Sequence, residues 1–288
     1  MNPAIQRMLQ RYSRDTIEEN VFALREVLQQ LALLGLWRSK FFEQAAFYGG
    51  TAIRILYGLD RYSEDLDFSL LAPERDFSLS RYGSALEREL AGFGFEVSFE
   101  PVRKSQESAI ESAFIKTNTL KQMVVIEADR RMLRGLQSDQ KLKIRLEVDV
   151  DPPGGFETES KPILQPVPFA VRTYTLPDLF AGKMHALLCR RWRNRVKGRD
   201  WYDFVWYVAN YPRLRLSHLE QRMRQSGDYT NERALGPDAF REMIREAVGA
   251  LDIKRAREEV LPFVVDLRTV EIWSADFFRS LIDKVEFV

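Results

Sequence analysis

Two aspartates separated by one apolar residue are the side chains of this sequence best suited to carry chemistry. Asp65-Leu66-Asp67-Phe68 alternates acidic and apolar residues. On a β-strand, this period of two places both carboxylates on one face and Leu66 and Phe68 on the other. Carboxylates held that close repel each other, and a divalent cation between them relieves the repulsion. The pair therefore predicts a magnesium site.

A glycine pair precedes the two aspartates. Gly49 and Gly50 follow the apolar run at residues 45–48 and precede a helix-like stretch at residues 51–57. A strand, two glycines and a helix allow backbone N–H groups and a helix N-terminus to close on a phosphate, because no side chain blocks the approach. A glycine turn or an Asp-x-Asp pair taken alone is more often a plain turn or a solvated strand edge. Their order and spacing favour binding of a metal and a phosphate.

The segment GGTAIRIL…RYSEDLDF resembles the first motif of the AbiEii/AbiGii-type nucleotidyltransferase toxins, a branch of the DNA polymerase β-like superfamily. The superfamily pattern is Gly-Ser or Gly-Gly followed by Asp-x-Asp or Asp-x-Glu. Gly50 stands where many members have serine, which leaves Thr51 or Ser63 to supply a hydroxyl to the nucleotide phosphate. A second segment, residues 176–208, reads LPDLFAGKMHALLCRRWRNRVKGRDWYDFVWYV and is similar to the family's Leu-Pro-x-Leu-x-Ala-x-Lys and Arg-Asp-x-x-Asp pattern.

The resemblance implies an enzyme of the EC 2.7.7 type that moves a nucleotide from an NTP to an acceptor hydroxyl. It implies two Mg²⁺ ions bridging Asp65, Asp67 and the phosphates, with Lys183 facing the triphosphate. Asp200 and Asp203 are three residues apart and share a helix face; the resemblance implies that one of them orders the active site or Lys183 and that the other packs against neighbouring basic residues. A helix-start ion-pair network with no role in chemistry is the alternative interpretation. It also implies the toxin of a toxin–antitoxin or phage-defence system, with a cognate antitoxin protein and RNA, in particular the tRNA 3′ end, as acceptor.

A third carboxylate is expected from a neighbouring strand, because a two-metal phosphoryl-transfer site usually needs one. KLKIRLEVDV at residues 141–150 alternates apolar and charged residues, with Glu147 and Asp149 on the charged face. Glu147 is the candidate because Leu-Glu-Val resembles the family's apolar-acid-apolar third motif. Asp149 remains the alternative, and an amphipathic strand with a solvated acidic face remains the simpler interpretation.

A basic run follows Lys183. Two tryptophans accompany it, Trp192 inside the run and Trp201 just beyond it, so the segment could contact phosphates and stack on bases. A solvated helix end is the alternative interpretation. The candidate RNA-binding residues are Arg190, Arg191, Arg193, Arg195 and Lys197.

Composition excludes several classes of protein. The net charge is only +1, which argues against a general nucleic-acid coat. The sequence has no apolar run long enough for a membrane span and no signal-peptide core, so we expect a cytoplasmic protein without a membrane partner. A single cysteine, Cys189, excludes an internal disulfide and a cysteine-rich zinc site, and we expect it to be a small buried hydrophobe. The two histidines, His185 and His218, argue against a histidine-based metal centre.

The expected fold class is α+β, with a small mixed β-sheet nucleotidyltransferase core flanked by helices and a C-terminal helical domain. The expected divisions are an N-terminal helical segment at 1–44, the core at 45–170, and a helical domain at 171–288 that completes the active site. The first helix has an apolar stripe from Ile17 to Leu34, a cap at Asp15 or Thr16, and an end at Gly35. Residues 80–90 and 176–192 are expected to be helices, residues 93–100 a strand and residues 104–108 a polar loop, and a proline-rich connector leads to Pro168. Periodicity leaves the structure of residues 111–137 open.

Two other functions remain open on sequence grounds. A catalytically silent nucleotide- or RNA-binding regulatory protein could keep the fold, although retention of every candidate carboxylate argues against it. Nucleotidyl transfer to a small molecule or to a protein would need no basic groove. The sequence does not specify which NTP is used.

Overall fold

The computed structural model describes residues 1–102, 109–129, 133, 136–190 and 197–288. Its helices and strands confirm the α+β fold class. The chain forms two compact units that interleave along the sequence. The first comprises Met1–Ala52, Ser63–Pro152 and Ser160–Thr173, and the second comprises Ile53–Tyr62, Pro153–Glu159 and Tyr174–Val288.

The first unit is built on a seven-stranded sheet. Its strands are β1 (Ala45–Tyr48), β2 (Leu66–Leu70), β3 (Ser98–Pro101), β4 (Ile110–Asn118), β5 (Lys141–Asp149), β6 (Thr158–Ile163) and β7 (Phe169–Tyr174). The strand order is β3-β4-β5-β2-β1-β7-β6. The sheet is mixed, because β2 runs antiparallel to β1 but parallel to β5, and β1 runs parallel to β7.

Among the described residues of this unit, five helices begin, and two short 3₁₀ turns accompany them. The helices are α1 (Pro3–Leu9), α2 (Ile17–Arg38), α3 (Gly49–Tyr57), α4 (Gly83–Gly92) and α5 (Thr119–Val125), and the 3₁₀ turns are Phe41–Glu43 and Leu79–Tyr82. Among the helices in the described part of the chain, none has the length and apolar character needed to cross a membrane.

Helix α2 extends further than its sequence pattern predicts. Thr16 caps its start, as expected, and its side chain accepts the N–H of Glu19. The predicted end at Gly35 is wrong, because the helix continues to Arg38. A Cβ on Gly35 would lie 3.2 Å from side-chain atoms of Leu86 and Glu89 on α4. The glycine therefore allows close packing of the two helices rather than marking a helix end.

The apolar alternation of the motif strands forms the core of the first unit. Leu66 and Phe68 on β2 are fully buried, and the Phe68 ring lies 4.9 Å from that of Phe41 between centroids in an edge-to-face arrangement. Leu146 and Val148 on β5 are buried on the same side of the sheet. Burial of each such side chain stabilises the fold by about 1.5–3 kcal/mol. The period of two is thus the feature that fixes which face of the sheet remains available for polar side chains.

Three sequence-based assignments in this unit are corrected. The predicted strand at 93–100 is confined to β3, and the predicted helix at 80–90 begins as the 3₁₀ turn at Leu79–Tyr82. The proline-rich connector before Pro168 contains β6. This strand lies at the edge of the sheet, where a proline such as Pro162 is tolerated. The polar loop expected at 104–108 lies outside the described residues.

The second unit is mainly helical. Its helices are α6 (Leu176–Cys189), α7 (Gly198–Asn210), α8 (Leu216–Ser226), α9 (Pro237–Gly249), α10 (Ile253–Val260) and α11 (Ala275–Ile282), and it also has the short parallel pair β8 (Arg213–Leu214) and β9 (Glu286–Phe287). The rings of Phe180 on α6 and Tyr207 on α7 stack with centroids 4.4 Å apart. Helix α6 ends at Cys189, three residues before the predicted end.

Candidate active site

The first unit places two of the predicted carboxylates on neighbouring strands. β2 and β5 run parallel, with Asp67 in register with Glu147 and Ser69 in register with Asp149. Residues in register on adjacent strands project from the same face of a sheet. Asp67 and Glu147 are half-buried, whereas the flanking Leu66 and Phe68 are buried on the opposite face. The register therefore presents Asp67 and Glu147 side by side on the polar face.

Asp65 immediately precedes β2 and is exposed. Two buried side chains hold the backbone around it. The Thr51 hydroxyl donates a hydrogen bond to the Asp65 carbonyl, and Gln29 Nε2 on α2 donates to the carbonyls of Ser63 at 3.2 Å and Glu64 at 3.0 Å. These bonds fix the segment that leads into the Asp-x-Asp motif.

Thr51 does not fit its predicted role as a phosphate ligand. Its side chain is fully buried, and its single hydroxyl proton is used by the Asp65 carbonyl. The expectation is corrected: Thr51 orders Asp65 instead of offering its hydroxyl to a nucleotide. Ser63 is half-buried and stays a candidate for that contact.

The glycine pair opens helix α3 directly beside Asp67. Gly49 has a φ of +82°, and a Cβ placed on it would lie 2.2 Å from Asp67 Oδ2. Tyr48, the preceding residue, is the register partner of Asp67 across β1 and β2. The N-terminal end of α3, with the N–H groups of Gly49 and Gly50, therefore approaches this carboxylate, where a helix dipole favours negative charge.

The two candidates for the third carboxylate differ in their surroundings. The Glu147 side chain is 30% exposed and forms an ion pair with Arg145 at 3.0 Å. Asp149 is only 7% exposed, and its Oδ1 accepts the N–H of Asp151 at 3.2 Å. Glu147 is both the direct neighbour of Asp67 and the more accessible of the two. The structure thus favours Glu147 over Asp149 as the partner of Asp67 on geometric grounds.

The second unit brings together Lys183, Asp200 and Asp203. Lys183 Nζ on α6 lies 2.7 Å from Asp203 Oδ2 and 4.0 Å from Asp200 Oδ1 on α7. Asp203 is fully buried. Arg61 donates two hydrogen bonds to its carboxylate, from Nε to Oδ1 and from Nη2 to Oδ2, both 2.7 Å long. We refer to Arg61, Lys183, Asp200 and Asp203 as the ion-pair cluster.

Burial and charge act in opposite directions on Asp203. Burial pushes the pKa of the Asp203 carboxyl up, but the positive charges of Arg61 and Lys183 outweigh burial and leave that pKa below its ordinary value. Asp203 is therefore ionised at neutral pH and holds both cations in place. A buried charge without such partners would be strongly unfavourable.

Sequence reasoning missed Arg61. The residue lies within the quoted RYSEDLDF motif, but an arginine before a polar turn is ordinarily exposed. Its side chain is instead buried, and the following N–H of Tyr62 donates to the carbonyl of Phe263 at 2.8 Å. Its position in the motif, four residues before Asp65, was the one available signal.

The predicted RNA-binding run falls mostly outside the described residues. Arg191, Arg193 and Arg195 lie there, as does Trp192. Arg190, which follows α6, is exposed, and Lys197, which precedes α7, is half-buried. Burial, and then the charge of Arg190, lower the pKa of Lys197.

A comparison with family models finds a match over residues 31–280 to the family described as nucleotidyl transferase AbiEii toxin, type IV TA system. The chain belongs to this family. It is therefore a nucleotidyltransferase of the AbiEii toxin family, and the expected enzyme class is confirmed. A toxin of a type IV toxin–antitoxin system implies a cognate antitoxin.

Two solved structures from Helicobacter pylori are similar to this AbiEii-family chain, each with 16% sequence identity and a TM-score of 0.49. One carries a provisional assignment as a nucleotidyltransferase, and the match covers 91% of this chain and 92% of that one. The other is JHP933, for which the match covers 91% and 90%. A comparison with curated proteins found no match.

Proposed function

We propose that this AbiEii-family chain transfers a nucleotide from an NTP to an acceptor hydroxyl on RNA in a Mg²⁺-dependent reaction, and that it does so in the cytoplasm as a toxin. The observation that carries the proposal is the register of Asp67 with Glu147, together with the close approach of Gly49 to Asp67. Both arrangements are suited to a site that holds a metal ion and a phosphate.

The side chains at this site fit Mg²⁺. Asp65, Asp67 and Glu147 offer only carboxylate oxygens, the ligands that Mg²⁺ prefers. Asp67 and Glu147 lie in register on one face of the sheet, and Asp65 immediately precedes β2. When bound, Mg²⁺ ions neutralise the charge that develops on the α-phosphate and on the pyrophosphate leaving group. Asp65 and Asp67 would hold them, and Glu147 would complete the coordination or accept the proton of the attacking hydroxyl.

The start of α3 supplies the phosphate contact in this proposal. Gly49 and Gly50 carry no side chain, so their N–H groups can approach a phosphate oxygen at the positive end of the helix. Ser63 is the remaining hydroxyl candidate for the same phosphate. Because Thr51 fixes the Asp65 backbone, it contributes to the site by positioning.

Lys183 remains the proposed contact for the triphosphate, as the family resemblance implies. An ammonium group has three N–H donors, and Asp203 accepts one of them. Its charge can follow the leaving pyrophosphate because a lysine acts as a mobile point charge. Asp203 and Asp200 act as positioning residues in this scheme, and Arg61 keeps Asp203 ionised and fixed.

RNA is the proposed acceptor because of the basic run. It combines five candidate cations with Trp192, and the exposed Arg190 lies at its start. Cations bind the backbone phosphates of RNA, while an indole can stack on an unpaired base such as those at the tRNA 3′ end. A protein hydroxyl or a small molecule would require no such run.

The proposal is tested by incubating the purified chain with each labelled NTP in Mg²⁺, together with total RNA and total protein. Label in RNA that a 3′-exonuclease removes supports the proposal and identifies the NTP. Label in protein or in a small molecule would support nucleotide transfer but would overturn RNA as the acceptor. Absence of label with every NTP favours a catalytically silent binding protein and overturns the proposed reaction.

A further inference from the structure

A second group of potential metal ligands lies in the second unit, formed by residues other than the carboxylates of the proposed active site. His185 and Cys189 are four residues apart on α6 and therefore lie on the same helix face. Asp228 follows the C-terminal end of α8. One ligand atom from each of the three residues lies within 4.8 Å of the other two. We refer to these residues as the His-Cys-Asp cluster.

The exposure of the cluster suits an ion that enters from solvent. All three residues are half-buried. The expectation that Cys189 is a buried hydrophobe is thus wrong, because the end of α6 leaves it partly accessible. The sequence pattern did not suggest the cluster, because Asp228 is distant from α6 along the chain and reaches it only through the turn after α8.

Hydrogen bonds prepare His185 for coordination. Ser226 Oγ lies 2.7 Å from Asp228 Oδ2 and 3.2 Å from the Met223 carbonyl, and both of these atoms can only accept. The hydroxyl proton is therefore used there, so His185 Nε2, 3.0 Å from Ser226 Oγ, must donate. In the neutral ring the lone pair is then on Nδ1. Metal-binding histidines typically donate their other N–H in this way.

The charges around the cluster are mixed. The charges of Arg222 and Arg190 oppose a bound cation, whereas the Asp228 carboxylate and a Cys189 thiolate together supply two negative charges. A divalent ion would balance those two charges.

The donor types select the kind of metal. Thiolate and imidazole are ligands that Zn²⁺ accepts readily and Mg²⁺ avoids. We propose that His185, Cys189 and Asp228 bind one Zn²⁺ ion, with the fourth position open to water or to an external ligand. The site is separate in chemistry from the proposed Mg²⁺ site. It would tie the end of α6, the helix that carries Lys183, to the segment after α8.

Cobalt substitution tests this proposal without any nucleotide. The full-length chain, free of any histidine tag, is treated with a chelator, exchanged into buffer with excess Mg²⁺, and titrated with Co²⁺. A near-ultraviolet thiolate-to-cobalt band should appear and saturate at one equivalent, and Zn²⁺ should abolish it. Because Cys189 is the only cysteine in the sequence, such a band can come from no other residue.

Variants and thermal stability complete the test. Cys189→Ser should lose the thiolate-to-cobalt band. His185→Gln and Asp228→Asn should each weaken Co²⁺ binding at least about tenfold. Asp276→Asn, an exposed control on α11, should bind Co²⁺ like the wild type. Zn²⁺ should raise the unfolding temperature of the wild type but not of Cys189→Ser. The proposal is overturned if stoichiometric Co²⁺ gives no thiolate band, or if Zn²⁺ stabilises Cys189→Ser as much as the wild type. Failure of nucleotide transfer would have no bearing on either outcome.

Discussion

Gly49 and Asp67 approach each other so closely that no side chain fits between them. A Cβ on Gly49 would lie 2.2 Å from Asp67 Oδ2, and the φ of +82° is itself unfavourable for residues with side chains. We expect Gly49→Ala to lower the free energy of unfolding by about 1–2 kcal/mol through backbone strain. We also expect it to reduce nucleotide transfer at least about 100-fold, on the order of the loss from one misplaced catalytic group.

Gly58 provides the matched control for this variant. It has nearly the same φ, +79°, but a Cβ placed on it would have no neighbour within 4 Å. Gly58→Ala should therefore show the backbone strain in a urea denaturation while retaining transfer activity. Equal transfer rates for Gly49→Ala and Gly58→Ala would show that the contact with Asp67 is irrelevant to the reaction.

The buried pair of Arg61 and Asp203 gives a second prediction. Arg61→Met should lower the free energy of unfolding by about 3–5 kcal/mol, because it leaves the buried Asp203 carboxylate with Lys183 as its remaining cation in the ion-pair cluster. Arg245→Met, which removes an exposed pair with Glu242, should leave the denaturation midpoint nearly unchanged. Equal midpoints for the two variants would mean that the cluster does not stabilise the fold.

His218 gives a prediction about pH. Burial, and then the charge of Arg222, lower the pKa of His218 from 6.5 to about 3. The ring packs edge-to-face against the stacked rings of Phe156 and Tyr174, and Nδ1–H donates to the Gly154 carbonyl at 3.4 Å. Below pH 6.5 the unfolded chain binds a proton that the folded chain excludes, so stability is full above pH 6.5 and falls as the pH is lowered toward 3.

Denaturation at pH 7 and pH 5, with a chelator present, measures this effect. Between these pH values the wild type should lose roughly 2 kcal/mol through His218 alone. The free energy of unfolding of His218→Gln should fall less between pH 7 and pH 5 than that of the wild type, whatever the absolute stability of the variant. If wild type and variant show the same difference between the two pH values, His218 is not excluded from protonation in the folded chain.

The basic run predicts a salt-dependent affinity for RNA. Neutralising Arg193, Arg195 and Lys197 together should flatten the log–log slope of RNA affinity against salt concentration by about two to three units, since each phosphate contact contributes nearly one. A filter-binding titration at several salt concentrations measures the slope. The control is a triple variant of three exposed cations on other helices, Arg245, Arg255 and Arg279. An unchanged slope would indicate that the basic run is a solvated helix end that does not contact RNA.

Local patterns in the sequence were enough to predict the elements around the carboxylates. The alternation at residues 65–68 and 141–150 predicts β2 and β5, because the period of two is a property of each strand by itself. Periodicity cannot predict that Asp67 pairs with Glu147, since register depends on how two distant strands align. That expectation came from the family resemblance, and the observed register agrees with it.

Features that depend on distant parts of the chain were missed. Arg61 and Asp203 are 142 residues apart, and an arginine is buried only where a carboxylate meets it. The His-Cys-Asp cluster forms in the same way, when the turn after α8 meets α6. Residues 158–163 were assigned to a proline-rich connector instead of a strand, because an edge strand tolerates proline and exposed polar side chains.

The central claim is that Asp65 and Asp67 hold the metal that carries nucleotide transfer. It is tested most directly by measuring transfer from labelled NTP to RNA, in Mg²⁺ and in chelator, for the wild type, Asp67→Ala and Asp76→Ala, an exposed control in the same unit. We expect chelator to abolish transfer and Asp76→Ala to match the wild type. Asp67→Ala should reduce the transfer rate at least on the order of 10³-fold. Its melting temperature should not fall, because one of two repelling carboxylates is gone. Near wild-type turnover by Asp67→Ala in Mg²⁺ would contradict the claim.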